Sequence, residues 1–127
     1  NGGEAKLVWS DKSSDNHFQG VAYYNGRVFS SGGDRLSCFD PESGRVVYTV
    51  EGAKKTSFCI TPSGMITYDV NGGTVLLVQL GADSAKVVSS FKVDYGNKEH
   101  WSSPVVANGV LYLRHGGGLA AFAVGAK

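Results

Sequence analysis

Short apolar runs alternate with glycine-rich turns along most of the chain, and this pattern predicts antiparallel β-strands. The clearest example is near the C-terminal end, where three apolar runs predict strands over residues 104–107, 110–114 and 119–124. Asn108-Gly109 separates the first two runs, and this dipeptide is a strong hairpin signal because both central residues of a type I′ turn need a positive φ. Three glycines from Gly116 onwards mark a second reversal. The region is therefore predicted to be a meander of three strands.

The same order of turn, strand, reversal and strand recurs with a period of roughly 40 residues. Asn25-Gly26 and Ser63-Gly64 are the counterparts of Asn108-Gly109. The first complete unit covers residues 18–52, with strands predicted over 20–24, 27–31, 35–39 and 46–50. The second covers residues 56–93, with strands predicted over 57–61, 65–70, 75–80 and 86–93. The third covers residues 102–124 and contains the three strands described above.

An isolated apolar run precedes the first unit. Residues 6–10, Lys-Leu-Val-Trp-Ser, are similar to the fourth strand of a unit, with Trp9 at the position that Tyr48 has in the first unit. This run is predicted to be a strand, and it brings the third set of strands to four.

Composition supports an all-β domain and argues against two kinds of partner. Glycine accounts for 18 of the 127 residues and proline for 3, which is typical of many tight turns. The 12 basic and 11 acidic residues are interspersed and give a net charge of +1, so no basic stripe indicates nucleic-acid binding. No apolar run approaches the roughly 18 residues of a membrane-spanning helix. We therefore expect no nucleic-acid partner and no membrane span.

The first residues, Asn1-Gly2-Gly3-Glu4, contain neither an initiator methionine nor a charged-then-apolar signal segment. We expect the chain to be a cut piece or a mature product.

The two cysteines, Cys38 and Cys59, lie within apolar alternating runs, and their spacing fits neither a metal site nor a redox pair. Either both are buried free thiols, which behave as small apolar side chains, or they form a disulfide between neighbouring sheets. Their spacing does not decide between the two.

Two stretches resemble the repeat of the quinoprotein (PQQ-like) β-propellers. They are Ser103-Pro104-Val105-Val106-Ala107-Asn108-Gly109-Val110-Leu111-Tyr112 and Leu36-Ser37-Cys38-Phe39-Asp40-Pro41-Glu42-Ser43-Gly44-Arg45-Val46-Val47. The family includes quinoprotein alcohol dehydrogenases, the propeller lipoprotein of the outer-membrane β-barrel assembly machinery and many cofactor-free secreted bacterial proteins. The resemblance extends over residues 6–124. It implies one region of propeller blades across residues 1–127, in a periplasmic or secreted bacterial protein.

Familiar propeller rings have four to eight blades, so about three four-stranded antiparallel blades make a partial propeller or a half-ring. The chain is then either a piece of a longer propeller or one member of a homo-oligomer whose copies together complete the ring. The strand before the first unit could pair with the three strands of the last unit to complete a four-stranded blade. This arrangement would join the ends of either kind of ring.

The sequence departs from the quinoprotein dehydrogenases where their cofactors are held. Those enzymes carry a Gly-Lys-x-x-Trp docking motif in most blades, whereas the first unit has Gly44-Arg45-Val46-Val47-Tyr48 and the second has Ala85-Lys86-Val87-Val88. A vicinal cysteine pair, a calcium-binding Glu/Asn/Asp set and a haem Cys-x-x-Cys-His motif are missing from the sequence. We therefore predict no cofactor and no metal site; PQQ and calcium enter only if the chain is part of a PQQ-dependent dehydrogenase.

Three histidines are predicted to lie on one rim of the propeller. In a propeller, the loop that enters each unit and the reversal between its second and third strands emerge on the same face. His17 and His100 lie in loops of the first kind and His115 at a reversal of the second kind. Neutral imidazole binds metals and other ligands, but these residues have no short ligand spacing. The alternatives are a ligand site and three solvated loop histidines.

An aromatic and cationic group adjoins His100. Trp101 and Tyr95 could stack on a sugar or a peptide at this rim, with Arg114 as the partner of an anion. Alternatively, Trp101 fills the joint between neighbouring blades. Tyr68-Asp69 is predicted to be an ordinary strand end.

No Ser–His–Asp arrangement and no pair of catalytic carboxylates can be assembled from the sequence, and the glycine-rich turns lead into strands instead of the helix that a phosphate cradle needs. The sequence therefore predicts a non-catalytic binding or scaffold module that binds a protein or polysaccharide partner through its loop rim. Two enzymes are the alternatives: the C-terminal part of a PQQ-dependent dehydrogenase, and a secreted hydrolase or lyase.

Overall fold

The computed structural model describes residues 3–15, 20–97 and 99–124, and every regular element in this part of the chain is a β-strand. The strands form three antiparallel sheets in which the spatial order follows the sequence. The first sheet contains β1 (Ala22–Tyr24), β2 (Arg27–Gly32), β3 (Arg35–Phe39) and β4 (Val46–Thr49). The second contains β5 (Thr56–Thr61), β6 (Gly64–Asp69), β7 (Thr74–Leu80) and β8 (Ala85–Lys92). The third contains β9 (Val105–Ala107), β10 (Val110–His115) and β11 (Gly118–Ala123).

The all-β prediction is confirmed, and the strands predicted within the three units are present with ends that move by at most about two residues. His17 and Phe18, the latter being the predicted start of the first unit, lie outside the described residues. The described part of the chain has no helix long and apolar enough to cross a membrane.

Two of the three predicted hairpin turns form as the sequence indicates. Asn25-Gly26 has φ values of 48° and 75°, and Asn108-Gly109 has 53° and 74°, which is the geometry of a type I′ turn. The third turn is displaced by one residue from the predicted Ser63-Gly64, because Gly64 pairs with Thr61. Pro62 and Ser63 are then the turn residues, and the fixed φ of proline suits the first of these positions.

The strand predicted over residues 6–10 is not formed. A strand needs a partner for its backbone groups, and no strand of the described chain pairs with this run. Leu7 and Val8 are 78% and 76% exposed. Only Trp9 is anchored: its indole Nε1 donates a hydrogen bond to the Pro41 carbonyl oxygen at 2.7 Å, and its ring stacks on Phe39.

Neighbouring sheets pack face to face, and two apolar clusters fill the joints between them. The cluster between the first and second sheets is made of Phe29, Leu36, Cys38, Val50, Ala53, Phe58, Met65, Leu76 and Val78. The cluster between the second and third sheets is made of Ile66, Tyr68, Val75, Val93, Leu111 and Leu113. Burial of these apolar faces, at about 25 cal/mol per Å² removed from water, is the main stabilising contribution to the fold.

Polar contacts connect the first two sheets at both ends of their joint. At one end, the buried Ser31 hydroxyl donates to the Thr56 carbonyl oxygen at 2.6 Å. At the other, the Tyr48 hydroxyl donates to the Gly81 carbonyl oxygen at 2.9 Å, and the Arg27 Nε donates to a neighbouring carbonyl of the same turn. The joint is therefore held by hydrogen bonds at both of its ends.

Both cysteines are free thiols, so the alternative of a disulfide between sheets is not formed. Cys38 is fully buried in the first cluster, and Cys59 packs against the second. Burial raises the pKa of both thiols above the usual value, which keeps them protonated at neutral pH.

Candidate functional site

Residues 93–104 connect β8 of the second sheet with β9 of the third and form one side of the candidate site. The Tyr95 hydroxyl donates to the Leu113 carbonyl oxygen in β10 at 2.6 Å. Further along, the Ser102 carbonyl oxygen accepts a hydrogen bond from the Ser57 hydroxyl in β5 at 2.9 Å. The segment is therefore bonded to both of the sheets that it connects.

His100 lies in this segment and is buried at the joint, with 8% of its surface exposed. Its Nδ1 lies 2.6 Å from the hydroxyl oxygen of Tyr68 at the end of β6. Its ring stacks on the imidazole of His115, with centroids 3.6 Å apart. The alternative of a solvated loop histidine is therefore wrong for His100. The loop folds back over the second sheet, and the Tyr68 hydroxyl takes the place of water as the hydrogen-bond partner of this imidazole.

Each of the two histidines has a hydrogen-bond partner at its Nδ1 atom. The Tyr68 hydroxyl lies within donating distance of the Arg114 carbonyl oxygen, at 3.2 Å. Its shorter contact with the His100 Nδ1 holds one proton, and the tautomer of His100 decides which of the two atoms carries it. The His115 Nδ1 lies 2.6 Å from the carbonyl oxygen of Tyr95, and because a carbonyl can only accept, this nitrogen is protonated.

Burial is the largest cause of the altered acidity of this group. It lowers the pKa of His100, and the neighbouring His115 and Lys92 lower it further, whereas Asp69 acts in the opposite direction. Burial raises the pKa of Tyr68 to about 12. At neutral pH the contact therefore joins a neutral imidazole to a protonated phenol, which is a stable packing unit without net charge.

A surface depression of about 420 Å³ adjoins the histidine pair. It is lined by Glu99, Trp101, Ser102, Arg114, Gly116 and Gly117. Trp101 is 52% exposed, so a large part of its ring is accessible. The Arg114 carbonyl oxygen accepts a second hydrogen bond from the Ser102 hydroxyl at 2.8 Å, which fixes its main chain while the residue stays exposed. The depression is thus lined by an exposed aromatic residue and an exposed cationic residue, with the main chain at Arg114 held by Ser102.

The structure brings together the sequence-predicted residues that it describes. Trp101 and Arg114 line the depression, and His100 and His115 form the stacked pair beside it. His17 lies outside the described residues. Ligand binding by these residues stays a prediction.

Two aromatic residues have roles that differ from the sequence prediction. The Tyr95 hydroxyl donates a hydrogen bond to β10, and its ring packs against Phe122. Tyr95 therefore supports the third sheet and is not among the residues that line the depression. Trp101 is too exposed to fill a joint between the described sheets.

Sequence reasoning did not identify Tyr68, Glu99 and Ser102 as part of this region. Tyr68 is predicted to be an ordinary strand end, but it is fully buried and bonded to His100. Its position was a usable signal: a tyrosine on the inward face of a strand needs a partner for its hydroxyl. Nothing in the sequence indicates that this partner lies 32 residues away.

A second cavity opens at the other end of the joint between the second and third sheets. It has a volume of about 510 Å³ and is lined mainly by apolar side chains, among them Ile66, Leu77, Phe91 and Phe122. The corresponding cavity between the first and second sheets measures about 120 Å³. Ser89 lines the larger cavity and is the equivalent of Tyr48 in the first sheet. Both residues come directly after the register shift between the third and fourth strands of their sheets. A missing aromatic side chain therefore accounts for part of the difference.

In the described residues, no group of three or more His, Cys, Asp or Glu side chains could hold a metal ion. A comparison with protein-family models and with curated proteins finds no match for this chain.

Proposed function

We propose that the chain is a non-catalytic binding module of PQQ-like propeller blades in a periplasmic or secreted bacterial protein, and that it binds an acidic polysaccharide. The observation that carries the proposal is a depression lined by both Trp101, which is exposed, and Arg114.

Three features support the assignment of the sheets as blades. Each of the first two is a four-stranded antiparallel meander whose spatial order follows the sequence, as in propeller blades. The sheets pack face to face through apolar clusters. In addition, Tyr48 of the first sheet donates to the turn at Gly81 of the second, so an aromatic side chain of one unit contacts the next unit.

The chemistry of the depression favours an acidic sugar over a neutral one. The C–H face of a sugar ring packs on an exposed aromatic ring, which offers a large rigid apolar surface. The Arg114 guanidinium can bind the carboxylate of a uronic acid through two parallel hydrogen bonds, and no salt bridge joins it to another described residue. Ser102 and Glu99 add groups that can bind sugar hydroxyls. The volume of about 420 Å³ lies in the range of small-ligand sites.

The test is calorimetric titration of the intact chain with uronic-acid oligosaccharides and with neutral glucose oligosaccharides of the same length. We expect binding of the acidic series, weakened by rising salt because one ion pair is involved. Trp101→Ala should weaken binding about 5- to 30-fold, since an aromatic contact with the ligand contributes on the order of 1–2 kcal/mol. Arg114→Gln should remove the preference for acidic over neutral sugars.

Matched variants separate binding from folding. Trp101→Phe keeps an aromatic surface and should retain most of the affinity. Arg35→Gln removes an exposed arginine from the first sheet and should change nothing. Equal binding of acidic and neutral sugars, or unchanged affinity in Trp101→Ala, would contradict the proposal.

Two further outcomes identify the alternatives. A protein ligand whose affinity depends on Trp101, together with no sugar binding, would keep the site and replace the ligand class. Reduction of a dye by the full-length protein after addition of PQQ and Ca²⁺, with an alcohol or sugar as the electron donor, would overturn the non-catalytic assignment.

A further inference from the structure

Equivalent strands of the three sheets present their side chains in the same direction. In β2, Phe29 and Ser31 contact the second sheet. In β6, Ile66 and Tyr68 contact the third. The same face of the third sheet therefore points away from the second sheet, and no described sheet follows to cover it.

This outer face of the third sheet is apolar and exposed. Val105, Tyr112 and Leu119 lie on it and are 55%, 40% and 73% exposed. Leu119 is the second residue of β11, as Leu36 is the second residue of β3. Leu36 is fully buried against the following sheet. Leu119 is the same kind of side chain at the equivalent position, but no described sheet packs on it.

The opposite face of the first sheet shows the complementary property. Val21 and Tyr23, at or beside β1, are each 69% exposed. They precede the first hairpin turn as Phe58 and Ile60 precede the second. Phe58 is 4% exposed and Ile60 packs against the same cluster, because the first sheet covers them. The described sheets thus present two apolar faces that correspond to the two sides of their own internal joints.

The unpaired run of residues 6–10 lies where the fourth strand of a preceding sheet would lie. Tyr48, in the fourth strand of the first sheet, donates to a carbonyl in the turn that follows β7. Trp9 donates in the same way to the Pro41 carbonyl in the turn that follows β3. Its indole lies against Gly44, where a Cβ atom would be 2.6 Å from the ring. The third sheet, in turn, has no fourth strand beside β11 among the described residues.

We infer that two copies of this chain join head to tail, the third sheet of each packing on the first sheet of the other and residues 6–10 of each pairing with β11 of the other. This rests on the proposed assignment of the sheets as propeller blades. Addition of a strand to an open sheet edge is a common mode of recognition, because it satisfies both rows of backbone groups.

The described sheets of two copies number about six, which lies within the four to eight of familiar propeller rings. In such a pair, each copy contributes the same two faces to two equivalent joints, so the assembly closes.

The same pairing places the second copy beside the proposed sugar site. Arg114 lies on the outer face of β10, as Ser31 lies on the face of β2 that meets the next sheet. The depression at Trp101 and Arg114 is then at the edge of the joint between the copies, and the second copy forms its remaining wall.

The internal joints predict the register of the exchanged strand. In the first sheet, Thr49 pairs with Ser37 and Tyr48 with Cys38. Aligning Trp9 with Tyr48, and β11 with β3, puts Ser10 opposite Ala120 and Trp9 opposite Ala121. Directly opposed residues of antiparallel strands have Cβ atoms about 4.5–5.5 Å apart, close enough for a disulfide after a small adjustment.

The experiment measures the solution mass of the intact chain by light scattering and then maps the contact. We expect twice the mass of one chain. Leu119→Asp should halve this mass without unfolding the chain, because residue 119 is exposed in a single copy and buried in the pair. Val88→Asp, which changes an exposed valine on β8 of the second sheet, is the matched control and should leave the mass unchanged.

Cysteine variants test the register. Ser10→Cys mixed with Ala120→Cys should give a disulfide-linked pair under mild oxidation, whereas Ser10→Cys mixed with Ser90→Cys, on the outermost strand of the second sheet, should not. A chain that is monomeric at tens of micromolar would overturn the inference, and so would a dimer that persists in Leu119→Asp or cross-links equally through Ser90→Cys. Assembly only after a longer stretch of a parent protein is supplied would show that this stretch, and no second copy, covers the faces.

The outcome for the pairing is separable from that for the sugar site. Sugar binding that depends on Trp101 in a monomeric chain overturns the pairing alone. A dimer with the predicted cross-link and no sugar binding overturns the proposed ligand alone.

Discussion

Removal of the Tyr68 hydroxyl should destabilise the protein far more than removal of a tyrosine hydroxyl elsewhere. In Tyr68→Phe the ring remains and the core volume is nearly unchanged, so the effect reports on hydrogen bonds. The Arg114 carbonyl keeps its bond from Ser102, but the Nδ1 of the buried His100 loses its hydrogen-bond partner. A buried polar group left unsatisfied costs about 1–3 kcal/mol, so we expect a loss of about 2 kcal/mol in the free energy of unfolding.

The assay is urea unfolding at equal protein concentrations, since association would add to apparent stability. Tyr48→Phe is the control: its hydroxyl donates to the Gly81 carbonyl at an exposed turn where water can replace it, and the buried group that it leaves, the Cys38 thiol, is only a weak hydrogen-bonding partner. The expected loss is about 0.5 kcal/mol. A Tyr68→Phe loss no larger than that of Tyr48→Phe would refute the reasoning.

A double-mutant cycle separates the contact between the two side chains from other effects of each substitution. When His100→Ala has already removed the imidazole, Tyr68→Phe should cost much less than it does alone. We expect an interaction free energy of about 1–2 kcal/mol, as for residues in one hydrogen-bond network. Additive losses would show that the phenol stabilises the fold through some other contact.

Two further predictions concern pH and packing. Because the pKa of His100 is lowered in the folded state, the unfolded chain takes up the proton first as pH falls; stability is complete above about pH 6.5 and decreases below it. His100→Gln should flatten this part of the stability profile measured by urea midpoints, and an unchanged profile would contradict the assignment. The pKa of Asp40 is also lowered, but a carboxyl with a lowered pKa affects stability only at much more acidic pH. The charged or titratable groups that act on His100 are His115, Asp69 and Lys92. Ser89→Tyr should fill part of the cavity of about 510 Å³ and raise the free energy of unfolding by about 0.5–1 kcal/mol, measured in urea against Ser90→Tyr on the other face of β8; equal effects of the two would show that the cavity does not accept the ring.

The sequence predicts the strands well because their signals are local. Alternation of apolar and polar side chains, with Asn-Gly at the turns, is sufficient to predict β1, β2, β9 and β10 to within about two residues. The predicted turn at Ser63-Gly64 is wrong by one residue, because the prediction relied on the glycine. The turn residues are Pro62 and Ser63, and Gly64 already belongs to the next strand.

Contacts between distant residues could not be predicted in the same way. The alternation over residues 6–10 is that of a strand, yet whether a strand forms there depends on a neighbouring edge, which the described chain does not supply. The burial of His100 depends on how a loop folds over the second sheet and on a tyrosine 32 residues away. Trp101 and Arg114 were correctly expected near each other, because the repeat places loops of both kinds at the same end of the sheets.

The three sheets share one plan, and the differences between their joints indicate where function is concentrated. The joint between the first and second sheets is closed by Tyr48 and by Ser31, so it contributes stability and offers little space. The next joint replaces these residues with Ser89, which leaves a cavity, and with Tyr68, which holds the histidine pair. At the corresponding position of the third sheet, Arg114 meets no other described sheet and lines an open depression. Along the described sheets, one repeated position thus changes from a buried hydroxyl to a buried phenol to an exposed arginine, and the last of these is the one on which the proposed sugar site depends.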